Sequence, residues 1–262
     1  MKKVDLEDII DYSSCPLLDA KFTNQCFEVL SREGALILKN FLTSQTIINL
    51  VEEAKNNQHK AYYSDSTHNI YLTPRDNSLS DDHIFNLQIK SSKGCITTDQ
   101  IPDTSALKAI YSSEVFKNFI AAVVGEKTLY EYEDPLSSIN IHYAKEGQEL
   151  GWHFDNSSFA VTLLLQKPLG GGVFEYVKNV RNSESGDMGF DKAKEIVMGN
   201  LKPSILDLDP GTLVLFKGKD SMHRVTPTVG EVTRYLVVFA YNSKPGVSLS
   251  KSAQKTFYGR VS

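Results

Sequence analysis

The sequence predicts an α+β fold with a mainly β core: a helical N-terminal layer packed on a jelly roll (double-stranded β-helix). In the first half of the chain, apolar residues recur three and four positions apart, as on a helix face. From about residue 129 the apolar period becomes two, in short segments separated by glycine and proline. No linker-like stretch divides the 262 residues. We therefore expect one domain, with 1–128 as a mainly helical support layer and 129–262 as the jelly-roll core.

The N-terminal part predicts helices over 22–32, 44–56 and 104–124, with a short apolar strand over 35–38. Thr43 or Ser44 can cap the second helix, because a hydroxyl there accepts a hydrogen bond from a free N–H group of the first turn. Residues 57–82 are polar and rich in turn-forming residues. They predict a loop or a loosely held lid, and the sequence leaves open which of the two it is.

The C-terminal part predicts a series of strands. These cover 139–143, 159–166, 171–177, 212–218 and 233–241. Residues 181–200 interrupt the series with a polar insertion, in which 191–199 predicts a short helix. The run from Gly170 to Gly172 predicts a turn, because no Lys-Ser/Thr pair or helix start follows it as in a phosphate-binding loop.

Composition and charge argue against several classes of function. The chain is 41% hydrophobic and 23% charged, with a net charge of -4 and no cluster of basic residues, which argues against a nucleic-acid partner. No apolar stretch is long enough to span a membrane, and the N-terminus lacks the apolar region of a signal peptide. Three widely spaced cysteines, Cys15, Cys26 and Cys95, predict reduced thiols. We expect a cytoplasmic protein of undetermined oligomeric state.

Candidate metal ligands lie in the segment Gly151-Trp152-His153-Phe154-Asp155. On an extended strand, residues two apart point to the same face, so His153 and Asp155 project together and Trp152 points away. His223 is a second histidine at the start of a later strand. Two imidazoles and one carboxylate form the facial triad of non-haem Fe(II) oxygenases, which leaves coordination positions open. An isolated H-x-D more often combines a core histidine with a turn residue.

Arg234 follows His223 by eleven residues and begins an apolar strand, which favours an inward side chain that binds a carboxylate. Asn140 and His142 share one strand face and could contact the same ligand, although a polar solvent face is equally compatible with the pattern. Val238 and Ala240 follow Arg234 on its face and predict an apolar wall. Three residues are candidate substrate contacts: Arg75, Asn156 and Glu175. The alternatives are an exposed loop arginine for Arg75, a residue that supports Asp155 for Asn156, and a solvated position on the outer sheet face for Glu175.

Two segments carry a resemblance to a known family. INIHYAKEGQELGWHFD and PGTLVLFKGKDSMHRVTPTVGEVTRYLVVFAY resemble the metal and cosubstrate segments of Fe(II)/2-oxoglutarate oxygenases, over about residues 130–262. WHFDNSSFAVTLLLQ, GGVFEYV, the 181–200 insertion and the closing FYGR are similar to the branch of BesD-like free-amino-acid halogenases and their hydroxylase relatives. In the halogenases of that branch, a glycine replaces the carboxylate of the triad and makes room for chloride.

The resemblance implies Fe(II) held by His153, Asp155 and His223, 2-oxoglutarate anchored by Arg234, O2 as co-reactant and ascorbate as reductant. Because Asp155 is retained, it also implies hydroxylation of a small molecule, most simply a free amino acid or derivative, instead of halogenation. Two other interpretations stay open. One is an enzyme of the same fold acting on a peptidyl or carrier-bound substrate, and the other is a non-catalytic jelly roll that binds a metal or ligand.

Overall fold

A computed structural model describes residues 5–262; the first four residues of the N-terminal segment discussed above lie outside the described residues. The helices are α1 (Leu6–Ile9), α2 (Ala20–Glu33), α3 (Ser44–Asn57), α4 (Ala106–Tyr111), α5 (Glu114–Val124), α6 (Phe190–Val197) and α7 (Lys251–Tyr258). The strands are β1 (Ala35–Leu38), β2 (Tyr62–His68), β3 (Ile89–Ile96), β4 (Ile139–Ala144), β5 (Leu150–His153), β6 (Ala160–Gln166), β7 (Gly170–Gly171), β8 (Phe174–Val177), β9 (Ser204–Leu206), β10 (Leu213–Phe216), β11 (Met222–Val225), β12 (Thr228–Val229) and β13 (Arg234–Phe239).

Among the described residues, the main sheet runs in the order β1-β10-β6-β13-β4-β3-β5-β11-β8-β9, and β2 pairs with β3 outside this path. β4 and β5 both pair with β3: Gly94 lies opposite Tyr143, and Ser91 lies opposite Leu150. The sheet thus bends into two facing halves, with β1, β10, β6, β13 and β4 in one and β5, β11, β8 and β9 in the other. This nearly closed antiparallel arrangement confirms the predicted jelly-roll fold with helices.

The period-two pattern decides which residues face the inside. On β6, Leu163 and Leu165 pack outward against the helices, whereas Leu164 packs between the two halves of the sheet. On β13, Val237 belongs to the outer cluster and Leu236 to the inner one. Each such fully buried side chain contributes about 1.5–3 kcal/mol to the free energy of unfolding.

Helices α2 to α5 cover the outer face of the first half and bury residues such as Leu30, Leu50 and Phe116 against it. The second half is covered by the segment around Tyr71 and by α6, which pack on Trp152. Trp152 is 6% exposed and belongs to this outer cluster. The prediction that it packs away from the metal-ligand face is therefore confirmed. Within residues 5–262, every helix is too short or too polar to cross a lipid bilayer.

Several predicted boundaries are corrected. The 57–82 segment is not all loop, because 62–68 forms β2, and the support layer also contributes β3 to the main sheet. β2 has polar, mostly exposed side chains on both faces, so it lacks the alternation that marks a strand. The single helix predicted over 104–124 is two helices, because Ser113 caps a new one. The helix predicted over 191–199 is Phe190–Val197. The strand predicted over 171–177 is interrupted between β7 and β8.

Candidate metal centre and anion cavity

The structure brings His153, Asp155 and His223 together between the two halves of the sheet. His153 ends β5 and pairs directly with His223 on β11, so the two imidazoles lie side by side with ring centroids 4.2 Å apart. Asp155 follows two residues after His153. One ligand atom from each of the three residues can be chosen so that all lie within 4.8 Å of one another.

The hydrogen bonds of the two imidazoles fix which nitrogen faces the centre. Nδ1 of His153 lies 2.7 Å from the carbonyl oxygen of Gly151, and Nδ1 of His223 lies 3.0 Å from that of Ser221. A carbonyl oxygen only accepts, so each Nδ1 carries the proton and each Nε2 keeps its lone pair. The Nε2 atoms lie 3.9 Å and 3.5 Å from Oδ1 of Asp155.

Charge states in the triad suit metal binding. Burial, and then the charge of His223, lowers the pKa of the His153 imidazole to about 3, so this ring is neutral near pH 7. Burial on its own raises the pKa of the Asp155 carboxyl, but His223 and then His153 outweigh it and hold the pKa below its ordinary value. A neutral imidazole and an ionised carboxylate are the forms that bind a divalent metal.

Two further features show that the residues fit a metal ion. Oδ2 of Asp155 is buried and has no hydrogen-bond partner among residues 5–262, although an unpaired buried carboxylate oxygen is costly. Phe174 and Phe216 pack on the His223 ring, with centroids 5.5 Å and 4.8 Å away. These aromatic walls fix the ring and keep water from one side of the site. Two imidazoles and one carboxylate are the donor set that suits non-haem Fe(II).

A narrow cavity lies in the same interior. Its lining consists of Ser92, Lys93, His142, Ala144, Glu149, Leu150, Val225 and Arg234. Arg234 is 5% exposed and forms no ion pair within the described part of the chain. Burial lowers the pKa of its guanidinium to about 10, which still leaves it protonated at neutral pH. The lining side chains leave about 10 Å³ between them, so a ligand larger than water enters only when one of them shifts.

His142 shares this cavity with Arg234, as the sequence predicts, but Asn140 does not line it. The Asn140 amide donates to the carbonyl oxygens of Leu136 and Ile139 and accepts from the hydroxyl of Tyr258 on α7. Its hydrogen-bonding capacity therefore serves to hold the C-terminal helix against β4. A contact between Asn140 and a bound ligand remains a prediction.

The three candidate substrate contacts lie in different surroundings. Glu175 pairs with Arg224 at 2.7 Å, and these residues lie opposite each other on β8 and β11. Because Arg224 also lies over Trp152, Glu175 is on the sheet face away from the imidazoles, which corrects its assignment as an ammonium ligand in this site. Arg75 is half exposed and pairs with Asp81 in its own loop. Asn156 is exposed beside Asp155. Roles for Arg75 and Asn156 in substrate binding remain predictions.

The structure also reveals residues that sequence reasoning missed. His68 on β2 lies beside the triad, with its ring centroid 6.0 Å from that of His153. Its Nε2 is 2.7 Å from the hydroxyl of Ser91, which accepts a hydrogen bond from the backbone N–H of Gly151. These contacts connect β2 to the strand that carries the first metal ligand. No pattern in the sequence marks His68, because the strand around it has polar side chains on both faces.

Lys93 and Arg181 were missed as well. Nζ of Lys93 lies 3.2 Å from Nε2 of His142, inside the Arg234 cavity. Arg181 is in the 181–200 insertion; it donates to the carbonyl oxygen of Lys219 at 2.7 Å and to that of Asp155 at 3.4 Å. Its guanidinium also lies 4.3 Å from the centre of the Phe154 ring. Around residue 93, lysine, serine and glycine follow one another without a regular period, so no pattern in the sequence marks Lys93 as inward-facing.

Comparison with known proteins places this site in a family. The sequence profile described as halogenase D matches residues 19–258. No curated protein sequence matches the chain significantly.

Several solved structures share the fold. An oxidoreductase of the 2OG-Fe(II) oxygenase family from Burkholderia pseudomallei is 13% identical, with a TM-score of 0.55, over 86% of this chain and 93% of that one. A prolyl hydroxylase from Trichoplax adhaerens is 15% identical, with a TM-score of 0.55, over 87% and 96%. The epimerase SnoN, solved with Fe³⁺ and alpha ketoglutarate, is 10% identical, with a TM-score of 0.57, over 85% and 84%.

These likenesses confirm that the fold is that of the 2-oxoglutarate- and Fe(II)-dependent oxygenases. The family profile extends from α2 to the end of α7 and therefore includes the triad, the cavity and the helical layer. The chain belongs to the halogenase D family.

Proposed function

We propose that the protein is an Fe(II)- and 2-oxoglutarate-dependent oxygenase that hydroxylates an unactivated C–H bond of a small metabolite, with a free amino acid or derivative as the leading substrate class. The observation that carries this proposal is the triad of His153, Asp155 and His223 beside a buried arginine that has no ion-pair partner in the described chain. The three side chains would hold the iron, and Arg234 would bind the far carboxylate of 2-oxoglutarate. Bound iron would supply the oxidising chemistry.

The overall reaction balances without another protein group as oxidant. Substrate C–H, 2-oxoglutarate and O2 give substrate C–OH, succinate and CO2. The chain's own contribution is to bind and orient the reactants and to exclude water. Leu150 and Val225 form an apolar part of the cavity that Arg234 lines, and they lie opposite each other on the two strands that carry the paired imidazoles. Ascorbate would serve as an external reductant that keeps the iron in its ferrous state.

Asp155 favours hydroxylation over halogenation. Its carboxylate packs against Gly218, where even a methyl group on the glycine would lie 1.9 Å from Oδ2. The carboxylate therefore fills the space beside Gly218, and chloride would have to compete with it for the third protein position on the metal. Membership of the halogenase D family is the observation that favours halogenation as the second candidate function.

The surroundings of the site restrict how an amino acid would be recognised. Glu175 is neutralised by Arg224 on the other sheet face, and the inner residues of β13 beyond Arg234 are apolar. The charged groups of an amino-acid substrate would therefore be bound by other elements, for which Arg75 and Asn156 are the sequence-predicted candidates. A prolyl hydroxylase with a similar fold was solved with a peptide, so a peptidyl or carrier-bound substrate is the alternative class.

Mass spectrometry of an aerobic reaction tests the proposal. The reaction contains the protein, Fe(II), 2-oxoglutarate, ascorbate, chloride and the pooled common amino acids, with a parallel sample under ¹⁸O2. We expect an amino acid heavier by one oxygen atom, labelled from ¹⁸O2, formed only with 2-oxoglutarate and absent with His153→Ala. A chlorinated product would overturn hydroxylation and establish the second candidate.

If no amino acid is modified, succinate release distinguishes the remaining interpretations. Slow succinate formation that requires His153 would keep the oxygenase activity and exclude the common amino acids, so peptides and carrier-bound substrates would be tried next. If neither metal nor 2-oxoglutarate binds, the proposed function is wrong. Metal binding without 2-oxoglutarate binding would point to a non-catalytic jelly roll.

A further inference from the structure

We propose that Lys93 is a second anion-binding residue of the cosubstrate site, and that it binds the carboxylate of 2-oxoglutarate nearer the metal while Arg234 binds the far carboxylate. The inference rests on the proposed function and extends it to a residue that neither the sequence pattern nor the family likeness assigns.

The sheet register puts the two cations on the same cavity. Arg234 on β13 lies directly opposite Ala144 on β4, and β4 is in turn paired with β3, which carries Lys93. Ala144 also lines the cavity, and its methyl group is short. The small side chain of the middle strand therefore leaves space between a lysine on one side and an arginine on the other.

The two cations lack an anionic partner in the described structure. Neither Lys93 nor Arg234 has a carboxylate oxygen within 4.0 Å, although Glu149 also contributes to the cavity lining. Burying a charge without a counter-charge is unfavourable, so this arrangement is better suited to a bound anion than to the empty protein. Two cations match the two carboxylates of a dicarboxylate.

His142 holds the lysine in place. Its two ring nitrogens lie 3.2 Å and 3.4 Å from Nζ of Lys93. Burial, and then the charges of Lys93 and Arg234, keep the pKa of the His142 imidazole well below its ordinary value, so the ring is neutral and can accept a hydrogen bond from the ammonium group. Burial also lowers the pKa of Lys93, and a bound carboxylate would raise it again by stabilising the ammonium group.

The strand order indicates which carboxylate of 2-oxoglutarate each of the two cations binds. Lys93 is on β3, which pairs with β5, the strand that ends in the metal ligand His153. Arg234 is on β13, which is separated from β3 by β4. Lys93 therefore faces the metal end of the cavity, and Arg234 faces the other end.

Ligand binding without turnover tests this assignment. Titration calorimetry on the Mn(II)-loaded protein under nitrogen would use two probes, 2-oxoglutarate and 2-oxopentanoate, which differ in the far carboxylate alone. We expect Lys93→Met to raise both dissociation constants by a similar factor of about ten or more. Arg234→Met should weaken 2-oxoglutarate binding selectively and bring the two dissociation constants together. Lys90→Met, an exposed lysine on the same strand, is the matched control and should change neither.

Two results would overturn the inference. An unchanged affinity of Lys93→Met for both probes would remove Lys93 from the site. A selective loss of 2-oxoglutarate binding in Lys93→Met would show that it shares the far carboxylate with Arg234. Circular dichroism melting establishes that each variant is folded, and Lys93→Arg should recover part of the affinity because it restores the charge. If the wild-type protein binds neither probe, the proposed function itself fails, which is a different outcome.

Discussion

Gly218 lies so close to Asp155 that a β-carbon on the glycine would be 1.9 Å from the carboxylate oxygen Oδ2 and 2.6 Å from Cγ. The backbone N–H of Asp155 also donates to the carbonyl oxygen of Gly218 at 3.0 Å. The loop after β10 thus holds the backbone of Asp155 by a hydrogen bond and packs against its carboxylate. Only a residue without a side chain leaves room for it.

Gly218→Ala should displace the Asp155 carboxylate and weaken metal binding. Because the third protein ligand would be moved or lost, we expect the Mn(II) dissociation constant to rise by about tenfold or more, as measured by calorimetry. Gly170→Ala is the matched control, since a β-carbon there meets its nearest neighbour at an ordinary 3.4 Å. Equal affinities of Gly218→Ala and wild type would show that the carboxylate does not bind the metal in its observed position.

Arg234→Ala should chiefly weaken 2-oxoglutarate binding. Removing one partner of a buried charge pair costs about 2 kcal/mol or more, so the dissociation constant should rise by about thirtyfold or more. Calorimetry with the Mn(II)-loaded protein under nitrogen measures this change. Arg32→Ala, in which a mostly exposed arginine is removed, should leave the affinity unchanged. If Arg234→Ala behaves like this control, the arginine does not anchor the cosubstrate.

Arg181→Ala should loosen the support of Asp155 without removing a metal ligand. Its guanidinium connects the carbonyl oxygens of Lys219 and Asp155 and lies 3.6 Å from the Asp220 carboxylate. We expect a several-fold weaker Mn(II) affinity, together with a lower melting temperature of the metal-free protein. Arg181→Lys should restore part of the Mn(II) affinity and part of the melting temperature, because a positive charge remains at this position. A lower melting temperature with unchanged metal affinity would show that Arg181 stabilises the fold alone.

His142 should make the metal-free protein less stable in acid. Burial holds its folded-state pKa well below the ordinary value, so below about pH 6.5 the unfolded chain binds a proton that the folded protein does not. The free energy of unfolding must then fall as the pH decreases through this range. At pH 5.5 the effect of this residue is on the order of 1 kcal/mol.

Denaturant unfolding of the metal-free protein at pH 7.5 and pH 5.5 measures this difference. His142→Asn should lose less stability than wild type over the same interval. His59→Asn replaces an exposed histidine and should behave as wild type does. If His142→Asn and wild type lose the same stability between the two pH values, His142 is protonated in the folded protein.

The sequence by itself determined which residues form the candidate metal centre and where in the chain they lie. His153 and Asp155 are two residues apart at the end of a strand. Side chains at this spacing point to the same face of an extended chain, and this depends on local geometry alone. Arg234 begins a continuous apolar run, which is why the sequence predicted an inward side chain. The change to an apolar period of two from about residue 129 predicted most of the jelly roll, because one face of each inner strand is buried against the other half of the sheet.

Only the tertiary structure decided which residues share the anion cavity and which are elsewhere. Lys93 and Arg234 are 141 positions apart and meet because β4 pairs with both of their strands. The sequence leaves open which face of its strand Glu175 occupies, and the pairing of β8 with β11 places it opposite Arg224 on the outer face. Such relationships depend on strand order and register, which are set by long-range pairing and leave little trace in local sequence.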